Sequence, residues 1–545
     1  MKKFGKKETL ELAAAPNDVY NEVRVKAIVA GDSAEPGSVF GFESLMEDRS
    51  VFTQFEFQFQ GSLPVVTSRF MLSLPAGWRA EGITYNYSPV QPDLSGSTYT
   101  WQLQNLGFIE PEEDGPNLSS LAPRLAVSFF PPEGTSAGLG KVFRNWAEVS
   151  SWLTELNDPQ AQPTELLAAK ARSLAADASA ELESVRAIGK FVQGVNYVSI
   201  QTGLGRGGGY RPHAAGDVFL KSYGDCKDKA NLMRTMLKVA GIESFPVAIF
   251  SGDRLYVRPE WTSPQQFNHA ILAVKVSQPT GTPAETEHPE LGRLLLFDPT
   301  DTDTPVGYLP DHEQDSQALV VAGNRGSLLR MPVAPPSANR LERRTEVTLA
   351  ADGSVAVRVR ERRAGQASID LRSLYRRQVR SDFVKSIESW IAGRAGGTMV
   401  SKVEVKDEPE ELTLELEFSV QRYGQLMQDR LLVFRPAVVS NPDAPRLTKA
   451  KRTHLVLLDS QSFREAVRVQ LPAGFRIDEM PGAAGNETTF GKHSALWEAR
   501  GNELLFTRSL EVRLASVPVE DYAAARKFFA QVHGAEDASV VLARE

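Results

Sequence analysis

The spacing of apolar residues changes twice along this chain, and each change indicates a different kind of structure. In VFTQFEFQFQ, Phe55, Phe57 and Phe59 recur at every second position, as in a β-strand with one buried face. From about residue 143 the spacing is that of amphipathic helices, as in FRNWAEVSSWLTEL. From about residue 338 strands return, with Asp352-Gly353 predicting the turn of a hairpin. The chain must therefore combine two β-rich regions with a helical one.

The length of the chain sets the number of domains. At 545 residues it is too long for one hydrophobic core. We predict an α+β, multidomain fold with three parts. These are an N-terminal β-sandwich domain over residues 1–140, which we expect to be truncated at its start, a core with preceding helices over 141–335, and a sandwich-like domain with an inserted helix over 336–545.

Composition excludes several classes of protein. The 61 basic and 68 acidic residues are interspersed and give a net charge of −7, so no large basic face for nucleic acid is expected. A single cysteine excludes an intramolecular disulfide. No run of about 18 apolar residues predicts a transmembrane segment. The first residues, MKKFGKKETLEL, are basic but lack the apolar stretch of a signal peptide.

The single cysteine lies in YGDCKDKANLMRTMLKVAG, at the predicted start of an amphipathic helix. Asp225 is a good N-cap and Asp228 completes a capping box, which places Cys226 in the first turn. The positive end of the helix dipole stabilises a thiolate there. Gly241 is placed to end the helix. This is a position where a nucleophilic cysteine is chemically favoured.

A histidine and an aspartate follow on apolar strands. His269 begins the strand of FNHAILAV, and Asp298 ends that of LLLFDPT. A helix start facing two strands of one sheet could bring Cys226, His269 and Asp298 together as nucleophile, base and orienting carboxylate. Each residue also has an ordinary interpretation: a buried thiol, a structural histidine and a turn aspartate. The order and placement of all three favour the triad hypothesis.

A glycine-rich loop, TGLGRGGGYRPHAAGD, precedes the cysteine helix. A phosphate-binding loop would need a Lys-Ser/Thr pair after its last glycine, and none is present. A linker or a mobile loop beside a site is the better interpretation. We predict that residues 202–216 cover part of the cleft around Cys226.

These stretches resemble the transglutaminase-like superfamily of papain-like cysteine enzymes. YGDCKDKANLMRTMLKVAGIESFPV, FNHAILAV and LLLFDPTD carry the resemblance, which is greatest over residues 185–310. It is closest to a bacterial branch with an N-terminal β domain of unknown function before the core and a C-terminal β domain after it. The resemblance implies Cys226 as nucleophile, His269 as base and Asp298 as the third member of a catalytic triad.

The resemblance also implies further site residues. Tyr197 and Gln201 are candidates for the oxyanion-binding side chain, and Gly224, Asp225 and Asn268 are expected beside the site. No tryptophan lies in the region where animal transglutaminases have one, which weakens the case for true transglutaminase chemistry. No metal ligands at zinc spacing and no calcium loop are recognisable, so we predict no metal and no cofactor.

The predicted function is cysteine-dependent acyl transfer on a peptide or carboxamide bond, with hydrolysis favoured over cross-linking. The alternative is a catalytically inactive scaffold or binding protein of the cell envelope that acts through its β domains. We expect a peptide or protein substrate, with cell-envelope peptides as one candidate source, and no nucleic acid. Because members of this branch usually begin with a secretion signal, we expect a periplasmic or secreted protein if an upstream signal is missing here, and a cytoplasmic one if Met1 is the true start.

Overall fold

A computed structural model of the chain describes residues 3–13, 20–21, 24–29, 31, 35–45, 51–132, 140–176, 178–201, 209–394, 396–441 and 443–545. The predicted fold class, α+β and multidomain with β-rich regions on both sides of a mixed core, is confirmed. Among the described residues, no helix has the length and hydrophobicity needed to span a bilayer.

The N-terminal region is built from short antiparallel strands. Its elements are β1 (Thr9–Ala13), β2 (Tyr20–Asn21), β3 (Arg24–Ile28), β4 (Gln54–Gln58), β5 (Val65–Ser73), β6 (Arg79–Tyr85), β7 (Asp93–Ser95), β8 (Thr98–Leu106), α1 (Leu118–Leu121) and β9 (Arg124–Phe130). Two three-stranded sheets, ordered β4-β9-β6 and β5-β8-β7, enclose an apolar core. Trp101 on β8 is wholly buried between them. A Cβ at Gly82 on β6 would lie 3.0 Å from the Trp101 indole nitrogen, so a glycine is needed where the two sheets approach.

The core region combines helices with a six-stranded antiparallel sheet ordered β15-β16-β14-β13-β17-β18. Helix α6 packs across β13 and β14, surrounded by α3, α4 and α5. The elements are α2 (Trp146–Asn157), α3 (Glu165–Ala176), α4 (Glu181–Gln193), β10 (Asn196–Tyr197), β11 (Ile200–Gln201), α5 (Ala215–Lys221), β12 (Tyr223–Gly224), α6 (Cys226–Val239), β13 (Ser244–Ile249), β14 (His269–Lys275), β15 (Glu285–His288), β16 (Gly292–Phe297), β17 (Gln317–Val320) and β18 (Leu328–Arg330).

The C-terminal region is dominated by an eight-stranded sheet ordered β21-β22-β20-β19-β26-β30-β29-β28, in which β19 and β26 run parallel. Its elements are β19 (Arg340–Leu349), β20 (Val355–Ala364), α7 (Gln366–Arg377), α8 (Arg380–Ala392), β21 (Thr398–Asp407), β22 (Leu412–Val420), β23 (Gln425–Met427), β24 (Leu431–Phe434), β25 (Val456–Leu458), β26 (Gln461–Gln470), β27 (Phe475–Glu479), β28 (Ala484–Thr488), β29 (Gly491–Arg500), β30 (Glu503–Val512), β31 (Ala515–Val517), α9 (Tyr522–Asp537) and β32 (Val540–Arg544).

One face of this large sheet is buried and the other is polar. Alternate residues of β20, β22 and β30 are buried, as the period-two spacing predicts. Helices α8 and α9 and the four-stranded sheet β23-β24-β32-β27 cover the buried face. The predicted hairpin at Asp352-Gly353 is present, with Gly353 at a φ of +83°. The prediction of a single inserted helix is wrong. Extended backbone at Gln378 and Val379 separates two helices, α7 and α8.

Candidate active site

Cys226 is the first residue of helix α6 and is half-buried. The side chain of Asp225 accepts a hydrogen bond from the backbone N–H of Asp228 at 3.3 Å, and Asp228 accepts one from the backbone N–H of Asp225 at 3.2 Å. The predicted capping box is therefore present. It holds the thiol at the positive end of the helix dipole, where a thiolate is favoured.

The residues around the cysteine have definite structural tasks. A Cβ at Gly224 would lie 2.6 Å from the Cβ of Asp228, so only glycine fits there. Asp228 also accepts from the backbone N–H of His213 at 2.7 Å and lies 2.9 Å from the His213 ring nitrogen. Lys227 forms an ion pair with Asp225. Gly-Asp-Cys-Lys-Asp thus fixes both the helix start and the end of the glycine-rich loop.

Lys229 ties the start of α6 to the preceding helix. Its side chain is wholly buried, and its Nζ donates to the backbone carbonyls of Gln193 at 3.2 Å and Val195 at 2.8 Å. Burial lowers the pKa of Lys229 to about 8. Because these carbonyls come just before β10, the lysine also positions Tyr197 relative to Cys226.

The structure brings His269 and Asp298 together from neighbouring strands. Antiparallel pairing of β14 with β16 places the start of one strand beside the end of the other. His269 Nε2 lies 3.0 Å from Asp298 Oδ2. Asp298 Oδ1 accepts from the backbone N–H and the hydroxyl of Thr300, at 2.7 and 2.6 Å. Since Nε2 faces Asp298, Nδ1 is the ring nitrogen left for Cys226.

The charges of this pair reinforce each other. Burial opposes the charged imidazole, but the Asp298 carboxylate, with a contribution from Cys226, raises the pKa of His269 well above its usual value. Burial likewise opposes ionisation of Asp298, and yet His269 and Thr300 lower the pKa of that carboxyl. The arrangement favours an imidazolium next to Cys226, which is the partner that a thiolate needs.

Cys226 and His269 open into a cleft of about 340 Å³. Its described walls include Tyr197, one of the two oxyanion candidates, and Asn268, whose side chain hydrogen-bonds both backbone groups of Ser251. The side chain of Gln201, the other candidate, lies outside the described residues, as do residues 202–208 of the predicted covering loop. Much of the remaining wall is apolar: Leu153, Tyr210, Pro246, Val247, Ala248, Pro264, Phe267 and Val321.

A second carboxyl group, which the sequence did not predict, lies beside His269 and Asp298. Glu313 is wholly buried, and its Oε1 lies 3.6 Å from His269 Nε2. Oxygen and nitrogen atoms of His269, Asp298 and Glu313 all lie within 4.8 Å of one another. The only sequence signal was an acidic residue four positions before Gln317, the start of the apolar strand QALVV.

The N-terminal region contacts the segment between β13 and β14, which leads into His269. Arg124 donates to the Tyr256 carbonyl at 2.9 Å and stacks on the Tyr256 ring at 4.2 Å. The Tyr256 hydroxyl donates to Glu56 at 2.9 Å. Ser120 donates to Asp253 at 2.6 Å. The segment between β13 and β14 is therefore fastened to the first β region.

The C-terminal region forms hydrogen bonds with the loop that follows Asp298. Arg372 on α7 is buried and donates to the Asp303 carbonyl at 3.0 Å, while its Nε donates to Asp407 at 2.8 Å. Arg376 donates to the Thr302 carbonyl and to Asp303, both at 3.1 Å. The histidine and the aspartate are thus held by different flanking regions.

Comparison with known proteins places this fold among solved structures. The chain shares its fold with a crystal structure described as "a putative protease from Parabacteroides distasonis ATCC 8503". The identity is 12%, the match covers 99% of this chain and 85% of the other, and the TM-score is 0.62. At this level of identity, the likeness shows a shared fold.

Two further structures match parts of the chain. One is described as "a Putative Cysteine Protease from Cytophaga hutchinsonii", with 12% identity, 45% of this chain and 74% of the other covered, and a TM-score of 0.19. The other is red sea bream transglutaminase, with 14% identity, 55% and 68% covered, and a TM-score of 0.17. Likeness at these TM-scores carries no structural conclusion. Residues 429–542 match the model of a domain of unknown function, DUF3858. No curated protein sequence matches the chain.

Proposed function

We propose that the protein catalyses cysteine-dependent acyl transfer on a peptide or carboxamide bond, with Cys226 as nucleophile, His269 as general base and acid, and Asp298 as the orienting carboxylate. The observation that carries the proposal is the 3.0 Å contact between His269 Nε2 and Asp298 in a cleft that also contains Cys226. It leaves Nδ1 to exchange a proton with the thiol.

The proposed reaction has two halves. The Cys226 thiolate attacks the carbonyl carbon, and the backbone N–H of Cys226, which has no acceptor within its own helix turn, donates to the oxyanion. Tyr197 is the side-chain candidate for a second donor. The imidazolium then protonates the leaving amine as the C–N bond breaks, which leaves a thioester on Cys226. Water, which gives a proton to His269 as it attacks the thioester, breaks the C–S bond, releases the carboxylic acid and restores the thiolate–imidazolium pair.

The cleft favours particular substrates within this class. Its described walls are mainly apolar, and its charged residues are Asp225, Lys227 and His269, of which the first two are already paired with each other. A peptide or carboxamide with an uncharged apolar side chain next to the scissile carbonyl would fit these walls. Peptides of the cell envelope are one possible source, and hydrolysis is the proposed outcome.

The decisive experiment is the pH dependence of Cys226 alkylation by iodoacetamide in the wild-type protein and in His269→Ala. A single thiol makes the mass spectrum unambiguous. We expect labelling to persist well below pH 8.5, the usual thiol pKa, and to be lost there in the variant. His454→Ala, which removes a histidine outside the cleft, is the control. Labelling that follows a free thiol, or that requires denaturation, would contradict the proposal and favour the inactive scaffold.

A further inference from the structure

Glu313 is a buried acid that the proposed chemistry does not use. It ends the short 3₁₀ turn Asp311–Glu313, just before β17, and its side chain has no exposed surface. Neither of its carboxyl oxygens has a hydrogen-bond donor among the described residues. A buried carboxylate without donors is costly, because burial removes water and nothing replaces it.

The donors near Glu313 are already committed to Asp298. His269 Nε2 lies 3.0 Å from Asp298 and 3.6 Å from Glu313, so its hydrogen bond goes to Asp298. Both donors of Thr300 also go to Asp298. Two ionised carboxylates would therefore share one imidazole in a site closed to water, and their repulsion would be poorly screened.

A carboxylic acid removes this conflict because it brings its own proton. We propose that Glu313 is protonated in the folded protein, that its O–H donates to the Asp298 carboxylate, and that it is a positioning residue for the triad. The inference rests on the proposed function for its catalytic meaning. The protonation states themselves, a neutral Glu313 beside an ionised Asp298, are argued from the geometry alone.

The surrounding charges support this assignment. Asp298 and Asp301 face Glu313 from the loop after β16, and His269 faces it from β14. Asp311 and His312 belong to its own turn, and Lys229 on α6 acts on Asp298. Burial first, and then the charge of Asp298, raise the pKa of Glu313 well above its usual value, against the opposing effect of His269.

The consequence is a chain of fixed contacts behind the nucleophile. Glu313 donates to Asp298, Asp298 accepts from His269 Nε2, and His269 Nδ1 faces Cys226. The Asp298 carboxylate then cannot rotate away from the imidazole without losing the Glu313 hydrogen bond. Glutamine at position 313 could donate the same hydrogen bond through its amide, whereas alanine could not.

Infrared difference spectroscopy tests the proton directly. The spectrum of the wild-type protein minus that of Glu313→Gln, at pH 7, should show the carbonyl stretch of a protonated carboxylic acid. A carboxylate band in its place would overturn the proposal. This measurement needs no reactive thiol, so it decides the state of Glu313 even if Cys226 proves inert and the proposed function fails.

Alkylation kinetics test the positioning role. We expect Glu313→Gln to keep the wild-type rate and pH profile, and Glu313→Ala to slow alkylation at pH 6 by about 10-fold, the value of one hydrogen bond to a charged group. Gln314→Ala, which loosens the same turn without contacting the triad, should label as the wild type does. Unchanged rates in Glu313→Ala, or an equal loss in Gln314→Ala or Glu313→Gln, would each overturn the role. If Glu313→Ala does not fold, the glutamine variant and the infrared band still decide.

Discussion

Two histidines, one partly buried and one buried, lie in opposite electrostatic surroundings in this molecule. In the core, His269 faces Asp298 and Glu313, and its pKa is raised. In the C-terminal domain, His493 on β29 is buried more completely, and burial together with the nearby Arg508 guanidinium lowers its pKa to about 4. The surroundings therefore favour the charged imidazole in the core and the neutral imidazole in the C-terminal domain.

The acids around these histidines differ in the same way. In the C-terminal domain, Glu361, Glu465 and Glu536 are buried, and each has an arginine: Arg363 lies 2.6 Å from Glu361, Arg508 lies 2.7 Å from Glu465, and Arg394 lies 3.2 Å from Glu536. In the core, two acids share one histidine beside a cleft and a thiol. Buried charge alone does not mark a site; an unbalanced charge cluster next to a nucleophile does.

The largest effect on stability should come from breaking the buried glutamate–arginine cluster of the C-terminal domain. Glu361→Ala leaves Arg343 and Arg363 without their shared carboxylate, so we expect the free energy of unfolding to fall by about 3–5 kcal/mol. Urea denaturation measures it. Glu417→Ala, which removes an exposed ion pair with Arg358, should cost at most about 1 kcal/mol. A small loss in Glu361→Ala would mean that the cluster is not a stabilising network.

An intermediate effect, on reactivity, is expected in the core. Asp298→Asn removes the charge that raises the pKa of His269, so alkylation of Cys226 at pH 6 should slow by about 10- to 100-fold, since one nearby opposite charge shifts a pKa by about 1–3 units. Urea denaturation should show a smaller loss of stability than in Glu361→Ala, because His269 can lose its proton when position 298 is neutral, whereas an arginine cannot. A large loss of stability with unchanged alkylation would mean that His269, Asp298 and Glu313 have a structural role, like the glutamate–arginine cluster of the C-terminal domain.

The smallest effect at pH 7 should come from His493→Leu. The folded protein holds this histidine neutral, with a pKa lowered to about 4, while the unfolded chain binds a proton near the usual value of 6.5. Its contribution to stability is therefore present above pH 6.5 and is lost as the pH falls towards 4. Urea midpoints between pH 7 and 4 should fall less steeply in the variant. Parallel curves for the two proteins would contradict the assignment.

Local patterns were enough to predict much of the fold. Period-two spacing gave the buried face of β22, and Asp352-Gly353 gave the hairpin of β19 and β20, because both depend on neighbours in the chain. The capping box at Asp225 was equally local. His269 and Asp298 were predicted as partners because each lies at the end of an apolar strand, and antiparallel pairing made their meeting feasible.

Contacts between distant segments could not be predicted. Glu313 reaches the triad because β17, which follows it, pairs with β13 in the middle of the sheet, and strand order leaves no trace in the local sequence. The predicted inserted helix was too long because nothing in Gln378-Val379 indicates a break as proline or glycine would. The hydrogen bonds of Arg124 to the β13–β14 segment and of Arg372 to the loop after Asp298 depend on how whole domains pack together.

The contacts made by Arg124 and Arg372 mean that the three regions are not independent modules around Cys226. The segment that delivers His269 is tied to the first β region through Tyr256, and the loop after Asp298 is tied to the last through Arg372. A chain cut to residues 141–335 would lose both sets of contacts, because Arg124 and Arg372 lie outside it. A truncation or domain exchange that spares Cys226, His269 and Asp298 would therefore still remove supports of the segments that carry His269 and Asp298.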